Sequence, residues 1–243
     1  MCETCGCNVT PGNARLAHTP DAHGRTAVTV LKDLLSANDR EAAHNRAHFD
    51  AHRVLALNLM SSPGSGKTSL LLRTIEGLKG SLRLGVIEAD IDSVVDAEKV
   101  AARGIPAVQL RTGGFCHLDA AMVTRGIDAL DIDKLDLVVI ENVGNLVCPA
   151  EFDTGAHRNV MILSVPEGDD KPLKYPLMFS VCDLLLVNKI DFLSLSDFNM
   201  ALLRERVLAL NPRIKILEIS CKTGAGIEDW IAWLKGEAAG FNV

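Results

Sequence analysis

The chain has 243 residues, 48% hydrophobic and 23% charged, which is ordinary globular composition and enough for one large α/β domain with a short appendage. A formal net charge of -6, with Lys and Arg spread along the chain, argues against a general nucleic-acid binder, because phosphate backbones call for clustered cations. No run of about 18 apolar residues would span a membrane, and the N-terminal Met-Cys-Glu-Thr-Cys-Gly-Cys lacks the basic and apolar regions of a signal peptide, so a cytoplasmic protein with reduced thiols is expected.

Residues 1–24 carry Pro11, Gly12, Pro20 and Gly24 without apolar periodicity, the pattern of a flexible tail. Cys2, Cys5 and Cys7 set three soft thiolates within six residues of one another, a spacing that suits Zn²⁺, Ni²⁺ or Cu⁺. The α-amino group is available as a fourth donor. A square-planar set would favour nickel and a tetrahedral one zinc. Residues 25–52 follow a helical period with a narrow apolar stripe at Val30, Leu34 and Leu35, then a polar stretch. His44, His48 and His52 share one face of that helix; they could bind metal, but a solvated polar face explains them better.

From residue 53 to 243 apolar runs alternate with helical patterns. Strands are expected at Val54–Met60, Leu82–Glu88, Pro106–Leu110, Leu135–Glu141, Asn159–Val165, Asp183–Asn188 and Ile214–Ser220. Helices are expected at Thr68–Leu78, Val94–Ala102, Leu118–Leu130, Asp197–Leu210 and Ile227–Leu234. Continuous apolar strands such as Leu-Val-Val-Ile suit a parallel sheet covered on both faces. The expected fold is therefore a doubly wound, mostly parallel seven-stranded α/β sheet of the P-loop NTPase type, with ligands at the carboxyl ends of its strands.

Ser61-Ser-Pro-Gly-Ser-Gly-Lys-Thr68 follows the first strand and opens a helix, the P-loop arrangement with Ser61 where Gly is usual. Gly64, Ser65 and Gly66 offer backbone N–H groups to phosphates, Lys67 reaches the β- and γ-phosphates, Thr68 binds Mg²⁺, and Ser69 continues the cradle. Glu141, at the end of an apolar strand, is a second Mg²⁺ candidate, and Gly144 can offer its N–H to the γ-phosphate. Between them, Asp90, Asp92, Asp96 and Glu98 are acids of a candidate Mg²⁺-binding switch, with Asp90 and Asp96 favoured. Lys67, Thr68, Asp96 and Glu141 are thus the residues expected to carry GTP hydrolysis.

Asn188-Lys-Ile-Asp191 closes a later strand in the Asn-Lys-x-Asp pattern of GTPases. The Asp191 carboxylate can accept both N1–H and N2–H₂ of guanine, which adenine does not offer, and the Lys189 stem can lie along the base. Ser220-Cys-Lys-Thr223 resembles the Ser-Ala-Lys element that covers the base in GTPases, with Cys221 at the Ala position, so Ser220 and Lys222 are expected to join the nucleotide site. Cys116 and His117 precede a helix, and Cys148 follows the Glu141 element; all three fall just beyond strand ends on the nucleotide side and form a candidate metal set with a fourth position open. Cys182 and Cys221 read as packing residues.

The motifs Cys2–Cys7, Ser61–Thr68, Phe115-Cys-His-Leu-Asp119 and Glu141-Asn-Val-Gly-Asn-Leu-Val-Cys-Pro149 together resemble the HypB family of hydrogenase maturation GTPases, over the whole chain. The resemblance implies a SIMIBI-class GTPase, cycling between GTP and GDP, that helps deliver nickel to [NiFe]-hydrogenase. Its implied partners are a HypA-type nickel chaperone and the hydrogenase large-subunit precursor. It further implies a high-affinity nickel site at Cys2, Cys5 and Cys7, a weaker nickel or zinc site at Cys116, His117 and Cys148, and GTP-dependent homodimerisation. Some relatives carry a long His-rich N-terminal tract; this chain has only His18 and His23 there, which speaks against nickel storage. Rival readings are a urease-type nickel chaperone GTPase and a metal-binding or sensing protein with a structural nucleotide site. A small-molecule kinase fits less well with Asn188–Asp191.

Overall fold

In a computed structural model the described residues are 27–90, 100 and 102–241. Cys2, Cys5, Cys7, Asp92, Asp96, Glu98 and most of the helix expected at Val94–Ala102 lie outside them. Helix α1 (Ala27–Ala51) is followed by β1 (Leu55–Ser61), α2 (Lys67–Leu78), β2 (Leu84–Asp90), β3 (Ala107–Arg111), α3 (Ala120–Asp128) and β4 (Leu137–Glu141). Then come α4 (Cys148–Glu151), β5 (Arg158–Ser164), α5 (Lys171–Lys174), α6 (Pro176–Val181), β6 (Leu184–Asn188), α7 (Met200–Leu210), β7 (Lys215–Glu218) and α8 (Ile227–Phe241).

The seven strands form one sheet in the order β3-β2-β4-β1-β5-β6-β7, and each of its six neighbour pairs is parallel. Its central strands are apolar on both faces because both faces are covered. On one face Leu55, Leu57 and Leu59 of β1 meet Leu70, Leu71 and Leu78 of α2 and Trp230 and Leu234 of α8. On the other, Ala56 packs with Phe49 of α1 and Val123 and Ile127 of α3. Met60 packs on that same side with Met178 and Phe179 of α6 and Leu203 and Val207 of α7. The doubly wound parallel fold is the one the strand pattern implied.

Several boundaries shift for local reasons. Helix α3 starts at Ala120 because Asp119 caps it, its carboxylate accepting the Met122 N–H at 2.7 Å. Asn199 caps α7 in the same way through Leu202 N–H at 3.0 Å, so that helix begins three residues later than its apolar period. Strand β4 begins at Leu137, since the Asp136 carboxylate is engaged by Arg83. The stripe at Leu34 does not face the core: Leu34 is 57% exposed. Helix α1 docks instead through Asn38, Ala42, Asn45 and Phe49, all buried. Asn38 Oδ1 accepts the Ala120 N–H and Asn45 Nδ2 donates to the Ala120 carbonyl, both at 2.8 Å, so the polar stretch of the helix is its docking face.

Candidate functional site

Parallel strands all end at one edge, so every chain segment leaving a strand there contributes to a single rim. β1 runs into the P-loop, β3 into Cys116 and His117, β4 into Gly144 and Cys148, β6 into Lys189 and Asp191, and β7 into Ser220 and Lys222. The sequence-predicted residues of the described chain thereby meet on one side of the sheet.

Helix α2 begins at Lys67 with Gly66 at its N-cap and no side chain closing the cap, leaving its N–H groups and positive dipole end directed at the P-loop. Gly64 and Gly66 adopt φ of 74° and 109°, left-handed conformations that other residues resist. A Cβ on Gly66 would stand 2.4 Å from Asn188 Nδ2. The phosphate loop and the guanine motif are thus in contact. Lys67 Nζ donates to Ser61 Oγ at 2.9 Å, which gives a role to the serine that replaces the usual glycine.

Asn188 is buried and knits three segments together. Its Nδ2 donates to the Ser65 carbonyl at 2.8 Å, and its Oδ1 accepts the N–H groups of Lys189 at 2.8 Å and Cys221 at 3.2 Å. Lys189 Nζ reaches across to the Gly64 carbonyl at 2.7 Å. Asp191 Oδ1 accepts from Ser220 Oγ at 2.6 Å, which orients the carboxylate. An open pocket of ≈ 210 Å³ lies between these groups, lined by Gly66, Ser69, Asn188, Asp191, Cys221 and Lys222. Burial pushes the Cys221 thiol up to about 11, which suits a packing thiol rather than a reactive one. Arg73 of α2 was not anticipated: it donates to the Cys221 carbonyl at 2.9 Å and the Lys222 carbonyl at 3.3 Å, tying the loop after β7 to the P-loop helix.

On the phosphate side, Glu141 closes β4 at 5% exposure. Glu88 of β2, at 3% exposure, is its register partner, so two buried acids sit side by side on neighbouring strands. Thr68 lies in the first turn of α2, and carboxylate and hydroxyl oxygens such as these are the hard donors that Mg²⁺ takes. Asp90 ends β2, its side chain lying outside the described residues. Gly144 abuts the P-loop: a Cβ there would meet the Pro63 backbone N at 3.0 Å. Ser62 donates from its hydroxyl to Glu167, whose other oxygen accepts the Ser164 N–H at 2.7 Å. That brace beyond β5 carried no sequence signal, because a short Pro-Glu-Gly turn names no partner.

Cys116, His117 and Cys148 come together, their donor atoms all within 4.8 Å of one another. The two sulfurs are 3.1 Å apart, and Cys116 Sγ is 4.0 Å from His117 Nδ1. The His117 ring stacks on Phe152, centroids 4.1 Å apart. Burial lowers the His117 pKa, against the pull of Asp119 and Glu151, which favours the neutral imidazole that metal ligation requires. Burial also raises the Cys148 thiol, and the adjoining Cys116 raises it further, while the Asn145 amide opposes both. Two thiols and one imidazole suit a borderline or soft cation and leave one position open, which fits nickel and zinc alike. It is the one such group among the described residues. His48 and His52 stack on each other with centroids 4.6 Å apart, and His52 Nδ1 lies 2.6 Å from Asp133, so the α1 histidines make no such cluster. Cys182 is a buried thiol donating to the Met178 carbonyl.

The family description "CobW/HypB/UreG, nucleotide-binding domain" matches residues 55–218. The hydrogenase maturation factor HypB of Rhizobium leguminosarum bv. viciae is 49% identical over 222 residues, 91% of this chain and 74% of that one. A crystal structure of HypB from Helicobacter pylori in complex with nickel superposes with a TM-score of 0.80 at 37% identity, covering 84% of this chain and 95% of that one. The signal recognition particle 54 kDa protein of Aeropyrum pernix in complex with GDP shares the fold, with a TM-score of 0.53 at 12% identity over 78% of this chain and 48% of that one.

Proposed function

The chain belongs to the HypB family of hydrogenase maturation factors, and we propose that it is a GTP-hydrolysing nickel metallochaperone whose nucleotide state governs the internal Cys116–His117–Cys148 site. One observation carries this: Gly144, packed against Pro63 of the P-loop, lies four residues before Cys148, whose sulfur is 3.1 Å from that of Cys116. A segment that meets the γ-phosphate at one end is a metal ligand at the other.

GTP binding draws Lys67 from Ser61 to the β- and γ-phosphates, and Asp191, held by Ser220, accepts the guanine N1–H and N2–H₂. Mg²⁺ held by Thr68, Glu141 and either Asp90 or Asp96 would supply charge neutralisation on the phosphates. Gly144 donates its N–H to the γ-phosphate and draws the 144–148 segment toward the P-loop; hydrolysis releases it. The motifs name no water-positioning residue, and intrinsic turnover is proposed to be slow until a partner completes the site. Nickel is cargo, captured by Cys2, Cys5 and Cys7 and held internally by Cys116, His117 and Cys148, where zinc competes for the same donors. A HypA-type chaperone and the hydrogenase large-subunit precursor are the proposed partners, with a GTP-dependent homodimer as the active assembly and the cytoplasm as its place.

Complementation tests this. In a deletion strain, wild type should restore hydrogenase activity, and Lys67→Ala or Cys116→Ala/His117→Ala should not unless excess nickel is added. Restored urease activity without hydrogenase activity would favour the urease-type reading. Full activity of Lys67→Ala would leave the nucleotide site merely structural.

A further inference from the structure

The segment carrying Cys116 and His117 is held at two points by the segment that follows β4. Leu118, fully buried, donates its backbone N–H to Asn142 Oδ1 at 3.0 Å. Asn142 is itself fully buried and fixed to the sheet: its backbone N–H donates to the Leu59 carbonyl, and its Nδ2 to Asn58 Oδ1 in the middle of β1 at 3.2 Å. This end of the ligand loop cannot shift without breaking buried hydrogen bonds, each costly to leave unmade.

The other point is different in kind. Asn145 Nδ2 donates to the Cys116 carbonyl at 3.3 Å, and Asn145 Oδ1 accepts the Val147 N–H at 3.0 Å. Asn145 follows Gly144, the residue pressed against the P-loop, and is half-buried rather than locked in the sheet. The side chain spans the two halves of the ligand set: one end grips the backbone of Cys116, the other sets the turn that leads to Cys148.

We propose that Asn145 is a positioning residue that yokes Cys116 to the phosphate-facing segment, so that both thiolates stay on one metal ion whichever nucleotide is bound. It rests on the nucleotide-switched reading of the site given above. Movement of the Gly144 segment carries Cys148 by chain connectivity alone. Cys116 belongs to a different strand's loop; its sulfur touches that of Cys148 at 3.1 Å, but its backbone is tied to the moving segment through the Asn145 amide. Without the yoke, Cys148 moves while Cys116 stays with Leu118, and one thiolate leaves the ion in one nucleotide form.

The test uses the full chain with Cys2, Cys5 and Cys7 replaced by Ala, titrated with Ni²⁺ alone in the presence of GDP or a non-hydrolysable GTP analogue. Two readouts are taken: the affinity, and the thiolate-to-nickel charge-transfer absorption per bound ion. Asn145→Asp keeps the acceptor for Val147 and removes the donor to Cys116; Asn145→Ala removes both. The unsubstituted Asn145 protein should show the same absorption in both nucleotide forms while its Ni²⁺ affinity differs by about 5-fold or more, the lower bound of ordinary allosteric coupling. Both variants should bind nucleotide normally and lose one thiolate's share of the absorption in one nucleotide form only. Variants with unchanged absorption in both forms, against a nucleotide-dependent parent affinity, overturn the yoke alone. A parent affinity indifferent to nucleotide overturns the switch as well as the yoke.

Discussion

Gly66→Ala tests whether the phosphate loop and the guanine motif form one body. The added methyl would stand 2.4 Å from Asn188 Nδ2, well inside contact distance. An amide can swing away cheaply only if it is free, and Asn188 is buried with three hydrogen bonds to Ser65, Lys189 and Cys221. Displacing it leaves at least one buried group unmatched, at about 1–3 kcal/mol. Holding Ala at a φ of 109° adds backbone strain of about 1–3 kcal/mol. The sum, about 2–6 kcal/mol, corresponds to a loss of about 30- to 20,000-fold in affinity if it falls on the nucleotide-competent loop. Equilibrium titration with fluorescent GDP and GTP analogues, alongside a thermal melt, reads the effect. Both nucleotides should weaken equally, since nothing in the clash touches the γ-phosphate. Asn188→Ala should cost less in the Gly66→Ala background than in wild type, because the methyl then has room. A Gly66→Ala protein that binds GDP within about 3-fold of wild type, well under the 1.4 kcal/mol of a tenfold change, would refute the close approach.

Thr74→Val should destabilise the seam between α2 and α8: Thr74 Oγ1, fully enclosed, accepts the Trp230 indole N–H at 2.8 Å, and an unmatched buried donor costs about 1–3 kcal/mol. A lowered urea midpoint with unchanged slope, restored by Thr74→Ser, is the expected result. His157 supplies a pH dependence. Its side chain is 8% exposed; Nδ1 accepts the Ala56 N–H at 2.9 Å and Nε2 lies 3.1 Å from Asp50. Burial lowers its pKa, opposed by Asp50 and aided by Arg46 and Arg158, so the unfolded chain takes up the proton first. Its contribution is therefore complete above the ordinary value of 6.5 and is lost as pH falls below it. In urea melts from pH 7.5 to 5, His157→Asn should flatten that decline; an unchanged slope would remove His157 from the cause. Metal binding should also depend on pH, because the Cys148 thiol sits above its ordinary range and His117 below its own. Apparent Ni²⁺ affinity at the internal site should rise by about tenfold per pH unit through the Cys148 thiol alone between pH 7 and 9. Calorimetry in buffers of different ionisation enthalpy would count the released protons, and no release would contradict thiolate ligation.

The parallel sheet and the nucleotide rim were legible because they rest on local patterns. Continuous apolar strands, Gly64 and Gly66 before Lys67, and Asn188–Asp191 at a strand end each need only a few neighbouring residues to be recognised. Cys116, His117 and Cys148 were legible as residues just beyond strand ends, although only the fold sets the two sulfurs side by side. What escaped is what depends on a distant partner. Asn38 and Asn45 fall in the polar stretch of the first helix with no signal of burial, yet they match Ala120 backbone groups across a buried seam. Leu34 obeyed the helical period and faces solvent nonetheless. Arg73, Glu167 and Asn145 act through carbonyls or hydroxyls of segments far away in sequence, and no spacing encodes such pairings. Strand β4 and helix α3 shifted by two residues where Asp136 and Asp119 spend their carboxylates on backbone N–H groups.

The most direct measurement is the rate at which Ni²⁺ leaves the Cys116–His117–Cys148 site for a chromophoric chelator, with the tail thiols replaced by Ala. Wild type loaded with GTP should release the metal at a rate differing by about 5-fold or more from its GDP form, and Lys67→Ala should abolish that difference while leaving the site able to bind. Equal release rates from the GTP and GDP forms of wild type would contradict a nucleotide-governed metal site.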